Sequence, residues 1–149
     1  MTDRVFAWEI NRTSTAPPEV LFRLETDAKH WAEWGRPLIM LSRWERWANP
    51  PGGVGAIRQV GTWPLVMAEE TVEYEPDHRH VYTFARHAPV NGYRGEVVFK
   101  RNSAGGTDLC WRGSFTERFP GTGPLVRILL RAVLGFLSAR LVHAAESAG

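Results

Sequence analysis

The spacing of apolar positions along this chain changes character twice. Val5 to Arg12 alternates apolar and polar residues and predicts a first strand. Ala16-Pro17-Pro18-Glu19 then reads as a helix start. Pro18 suits a first turn, where a missing N–H costs nothing, and Pro17, standing before another proline, is biased away from the α region. Val20, Leu21 and Leu24 give this short helix its apolar face, and Thr26-Asp27 offers an N-cap for a second helix ending near Trp34, with Trp31 and Trp34 on one side. Gly35-Arg36-Pro37 ends it. From there the period is that of strands: Leu38 to Trp47, Val54 to Val60, Val66 to Glu75, His80 to His87, Tyr93 to Arg101 and Thr107 to Phe119. The separators Asn49-Pro50-Pro51-Gly52-Gly53, Trp63-Pro64, Pro76-Asp77-His78, Asn91-Gly92 and Asn102-Ser103-Ala104-Gly105-Gly106 all have turn chemistry. Short links between successive strands imply hairpins and an antiparallel meander.

After Pro120-Gly121-Thr122-Gly123-Pro124 the period becomes helical to the end of the chain. Phased at about 100° per residue with Arg127 at zero, Arg131 and Ser138 fall beside Arg127, and Ile128, Leu129, Ala132, Val133, Phe136 and Leu137 spread over an opposite arc. That arc is expected to face the sheet. Arg140 falls inside it and His143 near its centre; both are expected to snorkel to solvent from the helix end, the alternative being a polar group at one end of a ligand cavity. One long helix laid on a sheet leaves room for such a cavity.

At 149 residues the chain fits a single domain spanning 1–149. Its 18 basic and 16 acidic side chains are scattered, so no basic block marks a nucleic-acid surface. Cys110 is alone, which excludes an internal disulfide and Cys-clustered metal sites and fits a reducing cytoplasm. Met1 to Arg4 lacks the apolar core of a signal peptide, and Leu125 to Val142 holds three arginines, too many for a stable membrane insertion.

Several stretches carry a family resemblance: Ala16-Pro17-Pro18-Glu19-Val20, the Asp27, Trp31, Trp34 helix, the Gly55 to Arg58 strand and Glu73-Tyr74-Glu75-Pro76. Thr107-Asp108-Leu109-Cys110-Trp111 and Phe119-Pro120-Gly121-Thr122-Gly123 complete the set. In this order they resemble the START-like helix-grip superfamily (SRPBCC), which includes lipid-transfer domains, birch-pollen allergens and polyketide aromatase/cyclases, and within it the polyketide cyclase/dehydrase-like group. The resemblance implies an α+β fold: a curved antiparallel sheet of about seven strands around a long C-terminal helix, with two short helices after strand 1. It further implies an apolar cavity opened at one end by loops and small helices, and it transfers no catalytic apparatus and no cofactor.

Alternation sorts the later strands into two faces. Tyr82, Phe84, Tyr93, Val97, Phe99, Leu109, Trp111 and Phe115 form one, placed toward the helix because the other holds Arg94, Glu96, Lys100, Arg112 and Thr116. Tyr82, Tyr93 and Trp111 each present an apolar ring with a hydrogen-bond donor, the combination a hydrophobic ligand with a few oxygens requires. Trp34, Glu70, Phe84, Arg86, Phe115, Leu129, Val133, Phe136 and Arg140 complete the candidate lining. Glu69 and Glu70 point to opposite faces of a strand, so only one of them faces the cavity. His78-Arg79-His80 follows a proline turn and reads as solvated rather than as a metal site. Gly52-Gly53-Val54-Gly55 leads into a strand and is no phosphate cradle.

Binding of a small hydrophobic or aromatic molecule is the leading expectation. The alternative is a polyketide cyclase/dehydratase-like enzyme working by acid/base chemistry on a carbonyl, with Glu70, Arg86, His87 and Tyr93 as candidates. A third reading is a membrane-surface or interaction module using Trp44, Trp47, Trp63-Pro64 and the helix carrying Arg127 and Arg131, with a homodimer through the same loops left open.

Overall fold

A computed structural model describes residues 4–86 and 88–148. Its elements follow the order β1 (Val5–Ser14), α1 (Pro18–Thr26), α2 (Trp31–Trp34), β2 (Leu41–Arg46), β3 (Ile57–Thr62), β4 (Leu65–Glu75), β5 (Arg79–Phe84), β6 (Val90–Arg101), β7 (Thr107–Glu117) and α3 (Gly123–Ser147). The seven strands form one sheet in the order β1-β7-β6-β5-β4-β3-β2, antiparallel throughout. Six strands are joined as hairpins in sequence order, and the first pairs with the last, Val5 opposite Thr116 through Ser14 opposite Thr107.

One face of the sheet is aromatic and covered. Leu109, Trp111 and Phe115 of β7, Val97 and Phe99 of β6, and Tyr82 of β5 are all buried. The other face is charged: Glu96 bonds Arg79 and Arg112, and Glu73 bonds Arg79 and Arg94. Asn91-Gly92, expected as a turn, lies inside β6. Gly92 takes φ +57° and the register against β7 shifts between Asn91 and Arg94, so the pair forms a bulge and the chain reverses before Val90. The second helix is a single turn rather than a run from Asp27.

α3 runs along β1. Gly123 sits on the Phe6 ring, Gly135 is near Ile10, Arg12 donates to Ser138 Oγ at 3.1 Å and to the Gly135 carbonyl at 2.9 Å, and Glu146 accepts from Ser14 Oγ and Thr15 N. The buried positions include Leu134, Leu137, Ser138, Leu141 and Ala145; of the predicted arc only Leu137 is buried and Val133 half-buried, while Ile128, Leu129, Ala132 and Phe136 are exposed. One polar landmark misled. Ser138 is fully buried because Arg12 and the Gly135 carbonyl satisfy it, whereas Arg127 is exposed, its guanidinium 6.0 Å from the Phe6 ring centre. Arg140 does not snorkel either: its Nε donates to the Trp34 carbonyl at 3.1 Å, tying α3 to α2.

Close packing of β1 on β7 depends on Gly113, which stands opposite Trp8; a Cβ there would lie 2.6 Å from Trp8 Cζ2. The indole is buried and stiff, so Gly113→Ala is expected to destabilise the protein by about 1–3 kcal/mol. Urea unfolding checks this, and an unchanged midpoint would contradict the close approach.

Candidate functional site

The covered face is organised in cross-sheet rows. Phe6 opposes Phe115 and Phe84 opposes Glu69, which opposes Arg58, while Tyr93 stacks on Phe84 with ring centres 4.1 Å apart. The row therefore passes from aromatic side chains to a carboxylate and a guanidinium. In the next row Trp8 faces Gly113 and Gly95 faces Tyr82, whose ring crosses that glycine. Tyr82 then faces Thr71. His80 follows opposite Val97, which pairs with Trp111.

Into the polar end of these rows α1 lowers Glu25, a fully buried side chain. Glu25 is the i+4 neighbour of Leu21 and so lies on the helix's apolar face. Its carboxylate meets His80 Nδ1 at 2.8 Å and accepts from Arg58 Nη1 at 3.0 Å. Arg58 Nε donates to Glu69 at 2.9 Å, and Nη1 also donates to the Glu25 carbonyl. Trp31 Nε1 donates to that same carbonyl at 2.6 Å. His80 Nε2 meets Thr71 Oγ1 at 2.9 Å, and because the Thr71 hydroxyl donates to the Gly52 carbonyl, both ring nitrogens face acceptors. Arg58 lies between the rings of Trp31 and Tyr82, 4.4 and 5.1 Å from their centres. Its Nη2 is buried and has no hydrogen-bond partner among the described residues.

The two carboxyls are pushed opposite ways. Burial raises Glu25, but the charges of His80 and Arg58 and their hydrogen bonds outweigh it, and the net direction is down. Glu69 goes up because burial, helped by the Glu25 charge, exceeds the pull of Arg58. Burial also holds the Tyr82 phenol well above its ordinary range, and Tyr93 is raised by burial and by Glu69. Tyr82 accepts from Trp111 Nε1 at 3.0 Å. The site thus offers a buried cation with a spare donor, a carboxyl biased toward its protonated form, and two neutral phenols.

Tyr82, Phe84, Tyr93, Trp111 and Phe115 of the sequence-derived lining share this face. Trp34 is buried beside it, donating from Nε1 to the Leu24 carbonyl, and Val133 is half-buried. Others lie elsewhere. Glu70 points to the opposite face, 3.4 Å from Arg46, and Glu69 is the inward member of the pair. Arg86 pairs with Glu45, Arg140 holds Trp34, Leu129 and Phe136 are exposed, and His87 lies outside the described residues. His80, read as solvated, is 1% exposed. The signal for it was parity, since it alternates with Tyr82 and Phe84; Arg58 likewise alternates with Val60, and Glu25 recurs at helical spacing with Leu21. Phe84, Tyr93, Val90 and Ala88, with Arg86 and Arg118, border a hollow of about 710 Å³ at the end of the sheet where α3 begins. Among the described residues no three His, Cys, Asp or Glu side chains converge as metal ligands.

A meander wrapped beside one long helix, with its first and last strands paired, defines a helix-grip protein. The family model for polyketide cyclase / dehydrase and lipid transport matches residues 7–146, and the chain belongs to that family. No curated protein matches. Among solved structures it is similar to a START superfamily protein from Mycobacterium smegmatis, with TM-score 0.80, 13% identity, and 97% of this chain and 99% of that one covered. It is also similar to Ara h 8.0201, with TM-score 0.74, 14% identity, and 97% and 99% covered. A third likeness is to the di-domain ARO/CYC BexL from the BE-7585A biosynthetic pathway, with TM-score 0.71 and 18% identity; 96% of this chain is covered and it spans 49% of that one. At these identities the likenesses establish the fold.

Removing one member of a buried charge cluster strands the rest, so Glu25→Ala is expected to cost about 3–5 kcal/mol in chemical unfolding. The acid dependence of stability separates the two carboxyls. Glu25, lowered in the folded state, contributes stability at neutral pH that is lost as pH falls through its folded value. Glu69, raised, contributes stability at low pH that is lost as pH rises through its folded value. Glu69→Gln removes the opposing slope, so as pH falls from neutral toward the ordinary carboxylate value of 4.5 its stability should change less favourably than that of the parent, the two curves running parallel below it. Parallel curves above it as well would contradict the assignment.

Proposed function

We propose that the protein binds a small hydrophobic or aromatic molecule carrying one or a few oxygens, held against the covered face of the sheet beside α3. The observation that carries this reading is the row Phe115, Tyr93, Phe84, Glu69, Arg58, which runs from an apolar surface into a buried guanidinium with an unpartnered donor. Apolar rings supply affinity without direction, and Arg58 and the tyrosine hydroxyls orient the oxygens. The hollow bordered by Phe84 and Tyr93 is the entrance in this reading. The family description, which joins cyclase or dehydrase activity with lipid transport, supports a hydrophobic ligand, and the lone Cys110 fits a reducing cytoplasm.

One observation favours acid/base chemistry as a second reading. Glu69 is raised beside Arg58 and near Tyr93, so a carboxyl of increased basicity and a cation flank one spot, where Arg58 would polarise a carbonyl and the Glu69 carboxylate would take a proton from the neighbouring carbon. In that case Glu69→Gln abolishes turnover while leaving ligand affinity nearly intact.

A panel of fatty acids, polycyclic aromatic ketones and steroids should contain at least one class that raises the melting temperature. At 100 times its Kd such a ligand adds about 2.7 kcal/mol, or roughly 5–10 °C for a domain of this size. Tyr93→Phe should weaken that ligand by about 2- to 10-fold through loss of one hydrogen bond. If no class shifts the transition at saturating concentration, the binding reading fails.

A further inference from the structure

While Trp47 and Val54 are exposed at one end of the molecule, several further exposed apolar side chains lie at the other. Strand register defines that end: Val5 opposes Thr116, Thr116 opposes Asn91, Phe84 opposes Glu69, and Thr62 opposes Leu65 across the β3–β4 turn. β1, β4 and β6 begin there, β3, β5 and β7 end there, and Gly123 seats the start of α3 on Phe6 at the same place. Trp63 at the turn is 83% exposed and Leu65 77%; Phe119 in the β7–α3 joint, and Leu125, Ile128 and Leu129 in the opening turns of α3, are 53–63% exposed. The hollow bordered by Phe84, Tyr93 and Arg118 opens at this end.

The α3 side of this end is basic. Between Glu117 and Glu146 the chain carries Arg118, Arg127, Arg131 and Arg140 and no carboxylate. Arg118, Arg127 and Arg131 are exposed and form no ion pair among the described residues, as is also true of Arg4, Arg12, Arg23, Arg36 and Arg43; Arg46, Arg79, Arg94, Arg101 and Arg112 are each paired with a glutamate, and Arg86 beside the hollow is paired with Glu45. The Glu117 carboxylate is engaged by the Gly123 N–H. A surface of separate apolar tips beside unpaired arginines is complementary to a layer that is anionic outside and apolar a few ångströms below. A second copy of the chain would set these arginines against themselves.

We propose that this end of the molecule docks on an anionic lipid bilayer, with Trp63, Leu65, Phe119 and the first turns of α3 entering the interface and Arg118, Arg127 and Arg131 meeting lipid phosphates. Docked in this way, the hollow faces the membrane, so that a hydrophobic ligand enters without crossing water; that part alone rests on the binding function proposed above. Contact is peripheral, since among the described residues no helix is long and apolar enough to cross a membrane.

Sedimentation of the full chain with vesicles tests the docking. Vesicles of phosphatidylcholine containing about one third phosphatidylglycerol should pull the protein down, phosphatidylcholine alone much less, and added salt should release it. Both Arg127→Glu/Arg131→Glu and Trp63→Ser/Leu65→Ser should weaken the anionic binding by roughly tenfold or more. The unfolding midpoint of Trp63→Ser/Leu65→Ser should match the parent's, because both side chains are exposed, and that of Arg127→Glu/Arg131→Glu should fall only slightly, through loss of the exposed Arg127 contact with the Phe6 ring. Thermal shift by the soluble ligand class should persist in both variants, so a missing shift indicts ligand binding and missing sedimentation indicts docking. Equal binding to both vesicle types, no binding to either, or charge-reversed protein that still sediments fully would overturn the proposal. So would size-exclusion showing that Trp63→Ser/Leu65→Ser dissolves a dimer while vesicles have no effect.

Discussion

The interaction on which the rest depends is the contact of Glu25 with Arg58 and His80. It joins a helix, α1, to two strands that are not neighbours, β3 and β5, through one carboxylate. The Glu25 carbonyl is held by both Arg58 and Trp31, which fixes the chain leaving α1 as it enters α2. Through Thr71 the same cluster reaches the Gly52 carbonyl and positions the approach to β3. Helices that touch a sheet only through apolar side chains can slide; a buried carboxylate with three directed contacts cannot move without stranding a charge. The cluster therefore sets where α1 and α2 sit, and with them one wall of the covered face.

The opposite wall is set by different means. α3 has few acidic or basic positions, and its seat on β1 comes from the close approach of Gly123 to Phe6, the Arg12 clamp on Ser138 and Gly135, and Glu146 on the β1–α1 link. Arg140 then connects the two walls by holding the Trp34 carbonyl. The space between α1–α2 and α3 is thus framed by polar contacts, while apolar packing fills it from the sheet side.

Periodicity disclosed the strand order, the meander and the two faces, because alternation along β5, β6 and β7 is regular and the outer face is uniformly charged. It also placed Tyr82, Phe84, Tyr93, Trp111 and Phe115 together. It failed for much of α3, where apolar residues surround nearly the whole helix: Arg127 and Arg131 are exposed as their phase suggested, but Ser138, in the same phase, is buried with a partner on β1 that only the fold supplies. The buried cluster escaped for a related reason. Glu25, Arg58, Glu69 and His80 are separated by up to 55 residues, and each one alone has the ordinary look of a surface residue, although each sits in phase with apolar neighbours. Reading charges that fall in phase with a core, rather than charges that break it, would have found all four.

Whether such a cluster serves the fold alone can be argued from its imperfections. A purely structural set of buried charges gains most when every donor and acceptor is used, and well-packed apolar residues often do as well. Here Arg58 leaves one nitrogen without a partner, and Glu69 is lifted toward its neutral form despite a guanidinium at 2.9 Å. Each is stability forgone at a point where the aromatic row ends. The outer face, by contrast, pairs its arginines with glutamates throughout β4, β5, β6 and β7. On the outer face of β4 to β7 the arginines are paired, whereas inside one Arg58 donor is left over, and a donor left unused at the end of an aromatic row is one a bound oxygen would satisfy.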